Sequence, residues 1–194
     1  MYIIFEGVDT CGKSTQVKLF ENHKKDVVAT NEPGGTSVGK KFRQILLESD
    51  EKLSVNAELL LFLADRAEHF ERVVKPNLKE KHIISDRGLI SGIAYALANH
   101  EELDLAFLIE LNRFALQGNL PDKVVLFETD YELIKTRLGD KKQDSIEKRG
   151  IEYLLKVQEK MFEVTKALGV EYIVVNSNDS IEKIYKKIEE FIYD

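Results

Sequence analysis

The chain has 194 residues and a net charge of −6. That length suits one domain with a sizeable core, and the acidic balance argues against a nucleic-acid polymer as partner. The single cysteine, Cys11, excludes an internal disulfide and fits a reducing cytoplasm; no apolar run reaches membrane-spanning length, and no basic leader is expected at the N-terminus.

Tyr2 to Glu6 reads as a buried first strand. Gly7-Val8-Asp9-Thr10-Cys11-Gly12-Lys13-Ser14-Thr15 follows it and opens a helix over residues 13–25. Glycine, four residues, then Gly-Lys-Ser is the spacing of a phosphate-binding loop. The glycines let successive N–H groups point inward at an anion, and the helix adds its positive end. Lys13 supplies a full charge for β- and γ-phosphates, and the Ser14 hydroxyl can ligand magnesium. Cys11 is expected to be alkylated with loss of activity and to be protected by ATP.

Residues 26–31 read as a second strand around Val27-Val28-Ala29, and Glu32-Pro33-Gly34-Gly35-Thr36 is a turn. Thr36 or Ser37 caps a helix over about residues 37–48. A long helix runs from Ser54 to Lys75, where Pro76 should break it. Its centre, Glu58 to Ala64, is apolar nearly all round, which predicts cover on two sides. His82 to Asp86 is a third strand ending in a carboxylate. Helices follow over residues 89–99 and 104–117, then a strand from Lys123 to Phe127 and a helix from Tyr131 to Leu138. Gly139 to Gly150 is polar and without a steady period. Ile151 to Leu168 is helical, Tyr172 to Val175 is the last strand, and Asp179 with Glu182 resembles a capping box before a final amphipathic helix. Strands alternating with helices predict a parallel five-stranded α/β sheet with helices on both faces and ligands at the carboxyl ends of the strands. The phosphate loop, the Glu32–Thr36 turn and Asp86-Arg87 then share one rim, with Arg43 nearby. Asp86 can hold magnesium through water or orient Arg87.

Four stretches taken together carry a more specific signal: Gly7 to Thr15, Glu32 to Thr36, Leu61-Phe62-Leu63-Ala64-Asp65-Arg66-Ala67-Glu68-His69, and Asp86-Arg87. With them the chain resembles the thymidylate kinase (dTMP kinase) family of P-loop nucleoside monophosphate kinases, nearly end to end. The resemblance implies a three-layer P-loop NTPase fold over residues 1–194 as a single domain, with a short lid over about 137–150. It implies transfer of the γ-phosphoryl of ATP to dTMP, with Mg2+, in dTTP biosynthesis. Residue by residue, it implies that Gly7, Val8, Asp9, Thr10, Cys11, Gly12, Lys13, Ser14, Thr15 and Arg137 hold ATP, and that Ser14 and Asp86 serve the metal. Asp9, Glu32, Pro33, Arg43, Phe62, Arg66, Arg87, Ser91 and Tyr95 would bind dTMP. Among these, Phe62 would stack on thymine, Arg66 would donate to the base, Arg43 and Arg87 would hold the phosphate, and Tyr95 would crowd the sugar 2′ position. Phe62 and Arg66 are four apart in a helix and share a face. Lys13, Arg87, Asp86, Arg43 and Asp9 would carry catalysis.

One branch of the family carries a catalytic arginine in the loop, the other in the lid. Thr10 fills the loop position here, so the lid should supply the cation from Arg137, Lys141, Lys142 or Arg149. Asn31, Gly88, Gly92 and Ser145 depart from the family pattern, and Gly92 leaves dUMP or another base open as acceptor. A GTP-reading switch would need an Asn-Lys-x-Asp stretch; Asn176-Ser177-Asn178-Asp179 lacks the lysine. The resemblance also implies a homodimer, with neither nucleic acid nor membrane as partner.

Overall fold

Five short runs rich in isoleucine, valine and phenylalanine carry the sheet: β1 (Tyr2–Glu6), β2 (Val27–Asn31), β3 (His82–Asp86), β4 (Lys123–Glu128) and β5 (Glu171–Asn176). The computed structural model describes residues 1–49, 51–139 and 149–194. All pairings are parallel, in the order β2-β3-β1-β4-β5. Near-continuous apolar strands of this kind belong to sheets covered on both faces. The alternation of side chains puts Tyr2 and Ile4 in one core and Ile3 and Phe5 in the other.

The first core is closed by α5 (Leu89–Asn99), α6 (Leu105–Ala115), α7 (Tyr131–Leu138) and α8 (Ile151–Leu168). The second is closed by α1 (Lys13–His23) and α9 (Ile181–Tyr193). These are the three layers expected from the sequence. The stripe on α9 holds, with Ile184, Ile188 and Ile192 buried. Its start differs from the expected capping box. Ser180 caps the helix, with Oγ accepting from Lys183 N at 3.2 Å, while Asp179 pairs with Lys183 Nζ at 2.7 Å.

Two helices on the rim each contain a widened turn, the first within its expected bounds. α2 (Ser37–Arg43), capped by Thr36 Oγ1 on Gly39 N at 2.8 Å, continues through a widened turn at Gln44–Glu48. α3 (Val55–His69) continues through a second widened turn at Phe70–Val74 into α4 (Lys75–Asn77). Pro76 therefore does not break the helix. It falls in the first turn of α4, where a missing N–H is no loss, and the Val73 carbonyl accepts from Asn77 Nδ2 at 2.8 Å. The full burial on α3 falls toward its C-terminal end rather than in its apolar middle. Its buried side chains are Asp65, Arg66 and His69, while Leu60 in the apolar middle is 61% exposed.

Candidate active site

The loop after β1 is built by its backbone. A Cβ on Gly7 would lie 2.8 Å from Cys11 Sγ and 2.9 Å from the Phe127 carbonyl, so only glycine lets β1 pass so close to β4. Gly12, at φ +102°, turns the chain into α1. Lys13 folds back over the loop, and Nζ donates to the carbonyls of Gly7 at 2.9 Å and Val8 at 2.8 Å. Ser14 Oγ donates to Asp86 Oδ2 at 2.5 Å. Arg137 spans from the loop to the segment after β5, donating to the Thr10 carbonyl at 2.8 Å and the Ser177 carbonyl at 2.9 Å. These groups face a cavity of about 680 Å³. Cys11 lies beneath the loop, packed with Phe5 and Phe127 and 1% exposed, where its Sγ accepts from Lys13 Nζ at 3.4 Å. The expected alkylation is thus blocked in the folded loop.

A second cavity, of about 210 Å³, lies beside the first. Leu59, Phe62 and Arg66 of α3, Ser91, Gly92 and Tyr95 of α5, and Pro33 line it. The two cavities share four wall residues: Asp9, Glu32, Arg43 and Arg87. Arg87 is the best fixed of these. Its backbone is left-handed, with φ +71°, a strained state for a residue with a side chain. The surroundings impose it: Arg87 N donates to the Phe5 carbonyl at 2.9 Å, and the Arg87 carbonyl accepts from Ser85 Oγ at 2.7 Å. From that position the guanidinium donates to the Gly7 carbonyl (2.6 Å), Ser91 Oγ (3.0 Å) and Asp9 Oδ1 (2.6 Å). Burial opposes ionisation of Asp9, but Arg87 and Lys13 outweigh it and hold the carboxyl below its ordinary range. Arg43 Nη1 donates to the Pro33 carbonyl at 3.0 Å. The Tyr95 hydroxyl is buried with no hydrogen-bond partner among the described residues.

Behind this pocket lies a buried ionic network. Arg66 is 3% exposed and donates to Glu32 Oε2 (2.8 Å), Asn112 Oδ1 (2.5 Å) and the Gly88 carbonyl (3.0 Å). Glu32 Oε1 bonds His69 Nδ1 at 2.8 Å, and His69 Nε2 bonds Thr30 Oγ1 at 2.8 Å. Burial alone would neutralise Glu32, yet Arg66 and His69 hold its carboxyl below the usual range. Asp65 goes the other way. Burial and then the Glu32 charge push it up to about 6, although Oδ1 accepts from Gly34 N at 3.0 Å. Gly92 leaves room for this packing, since a Cβ there would stand 3.3 Å from Arg66 Nη2.

A family model described as Thymidylate kinase matches residues 5–188. The chain belongs to the thymidylate kinase family. A thymidylate kinase of Sulfurovum sp. (strain NBC37-1) is 53% identical over 188 residues, covering 97% of each chain. One of Campylobacter concisus (strain 13826) is also 53% identical, over 99% of this chain and 98% of the relative. Among solved structures, the thymidylate kinase of Ehrlichia chaffeensis superposes with a TM-score of 0.76 at 25% identity, covering 99% of this chain and 98% of that one. The chain is therefore a kinase with the P-loop NTPase fold.

Within this thymidylate kinase fold, the residues read from the sequence fall into three groups. Lys13, Ser14, Asp86, Asp9, Arg43, Arg87 and Arg137 all gather on the first cavity, as expected. Asp86 engages Ser14, and the side-chain partners of Arg87 are Asp9 and Ser91, so the expected orienting of Arg87 by Asp86 is not what holds it. Phe62, Arg66, Ser91 and Tyr95 gather on the second cavity, but Glu32 spends both carboxylate oxygens on Arg66 and His69. Arg149 departs from its expected place among the cations at ATP. It donates to Asn99 Oδ1 at 2.6 Å and to Tyr153 OH at 3.1 Å, on the second cavity. Tyr153 anchors it there from the first turn of α8. Lys141, Lys142 and Ser145 lie outside the described residues. Sequence reading gave no role to His69, Asp65, Asn112 or Glu6. Glu6 and Asn112 showed only as polar residues in or beside apolar runs, and Asp65 and His69 only as members of the stretch Leu61 to His69.

Proposed function

We infer that this kinase transfers the γ-phosphoryl of ATP to dTMP, giving dTDP and ADP. The carrying observation is that a loop-lined cavity and a base-sized cavity meet at Asp9, Arg43 and Arg87. ATP phosphates lie on the loop amides, with Lys13 at their centre. The acceptor base lies between Phe62 and the two N–H groups of Arg66 left over from its three named bonds, since a guanidinium carries five. The acceptor phosphate then falls at Arg43 and Arg87, in line with the γ-phosphoryl. Both reactants are anions, so the chain's work is to hold them in register and offset their repulsion; no strong base is needed. Asp9 sets the direction in which Arg87 points. The unpartnered Tyr95 hydroxyl faces the acceptor sugar and narrows the space at its 2′ position.

Magnesium suits the pair Ser14 and Asp86, a hydroxyl and a carboxylate on the wall of the phosphate cavity. Such hard oxygen donors, completed by phosphate oxygens, would hold the ion, and it would supply neutralisation of phosphate charge. Arg137, fixed between Thr10 and Ser177, is the described cation placed beside the donor nucleotide.

The chain self-associates through α3 and α6, where Leu60, Phe107 and Phe114 are 61%, 60% and 86% exposed. Its mass in solution is about 44 kDa, twice the 22.2 kDa of one chain. No helix among the described residues is long and apolar enough to cross a membrane. We place the chain in the cytoplasm, where ATP and a reduced Cys11 are both at home.

ADP release from Mg-ATP, with dTMP, dUMP, the ribose form of TMP, dCMP, dGMP and AMP offered in turn, tests the reading. dTMP should be the best acceptor, with the ribose form clearly poorer. A purine monophosphate as best acceptor would overturn it.

A further inference from the structure

Glu6 ends β1, is fully buried, and takes no part in the chemistry described so far. Ser91, in the first turn of α5, gives it two donors. Ser91 N donates to Glu6 Oε1 at 3.2 Å, and Ser91 Oγ donates to Glu6 Oε2. The same Oγ accepts from Arg87 Nη1 at 3.0 Å. A serine hydroxyl has one proton and two lone pairs. With the proton committed to Glu6, a lone pair is left to face Arg87. We propose that Glu6 is a positioning residue for Arg87, acting by fixing the direction of the Ser91 hydroxyl. This rests on the functional reading above only in that Arg87 serves the acceptor phosphate.

Donors and acceptors must match across this contact. Ser91 presents two donors, and a carboxylate presents two acceptors. A glutamine of the same shape presents one acceptor and one donor. The backbone N–H of Ser91 cannot turn away, so the glutamine oxygen must serve it. The glutamine amide then faces Oγ as a donor and releases the hydroxyl proton from its fixed direction, so that it can turn toward Arg87, which is itself a donor. The Arg87–Oγ bond would lose the partner that keeps a lone pair turned toward it, without any change in volume. Glu6 also satisfies an N–H at the start of α5, a purely structural duty. That duty survives in Glu6→Gln and in Ser91→Ala, so it can be separated from positioning.

The test is a double-mutant cycle of Glu6→Gln and Ser91→Ala, read as kcat/KM for the monophosphate that the unaltered chain uses best, with melting temperatures alongside. Acceptor choice by the unaltered chain tests the functional reading, whereas the coupling tests this inference whichever acceptor wins. Glu6→Gln alone should lower kcat/KM about tenfold with little change in melting temperature, because misaimed contacts cost rate before they cost fold. In the Ser91→Ala background the same substitution should change kcat/KM less than about twofold. An equal loss in both backgrounds would overturn the proposal, as would full activity of Glu6→Gln. If Glu6→Gln does not fold, Ser91→Ala alone decides. It keeps the N–H bond to Glu6, and should itself lose about tenfold; unchanged activity would overturn the role.

Discussion

The two cavities that meet at Arg87 are held by different kinds of force. The phosphate cavity is made of backbone. Gly7 and Gly12 shape it, and Lys13 is fixed by carbonyls only five and six residues away. The acceptor cavity is made of side chains brought from far apart. Arg66 reaches Glu32 across 34 positions and Asn112 across 46. The first kind of site tolerates changes in its surroundings and depends on local spacing. The second depends on a buried charge network, so its ligand-facing groups are also part of the core.

That difference predicts opposite signatures for substitution. Lys13→Ala should lower kcat by roughly 10³ or more, the scale at which a phosphoryl-transfer cation acts. Its melting temperature should fall by only a few degrees, because the Gly7 carbonyl it leaves keeps its bond from Arg87. Thermal unfolding beside steady-state kinetics would check this, and a collapse of the fold would break the contrast. Arg66→Ala should do the reverse in part. It strands the buried Glu32 carboxylate, and breaking a buried pair typically costs about 3–5 kcal/mol. Urea unfolding should show that loss directly, together with a raised KM for the acceptor. A variant as stable as the unaltered chain would mean that Glu32 is served by His69 alone. Arg66→Lys should rescue little, because a point charge cannot make the three directed bonds of the guanidinium.

The same difference decides what could be read from the sequence. The alternation of strands and helices, the three layers and the shared rim followed from periodicity and punctuation, because each is a local pattern repeated along the chain. The phosphate loop was legible for the same reason. Pro76 misled because a widened turn at Phe70–Val74 moves the bonding register, and nothing in the local sequence marks that turn. The interior of α3 misled more. Glu58 to Ala64 reads as a stretch covered on two sides, yet the fully buried side chains of this helix are Asp65, Arg66 and His69. A charged side chain is driven inside only when its partners are already there, and those partners lie on β2 and in the turn after it, on α6 and in the turn after β3. Glu6 was hidden likewise. At the end of an apolar strand it reads as the polar residue that stops the strand, and only the arrival of Ser91 from α5 gives its carboxylate a purpose.

Asp65 offers the smallest and most specific test of the side-chain network. Its carboxyl has a folded value of about 6 against an ordinary 3.8, because it is buried and sits near the Glu32 charge. A carboxyl raised on folding stabilises the protein fully below its unfolded value, and that stabilisation is lost as pH rises through the folded value. For Asp65 the window runs from about pH 4 to about pH 6, and at neutral pH the charged side chain is a net burden on the fold. Asp65→Asn keeps an oxygen to accept from Gly34 N and removes the charge. Melting temperature measured across pH should therefore show the variant gaining on the unaltered chain between about pH 4 and 6, then holding a constant lead to pH 8. Glu32 has its own, opposite dependence, present above its unfolded value and lost in acid, but it is common to both chains and cancels in the difference. Two parallel curves would mean that Asp65 is not strained by Glu32, and the network would then be a set of separate pairs. A lead that opens in the expected window would show that the acceptor side keeps charge in its core at a cost in stability, which the backbone-built phosphate cavity does not incur.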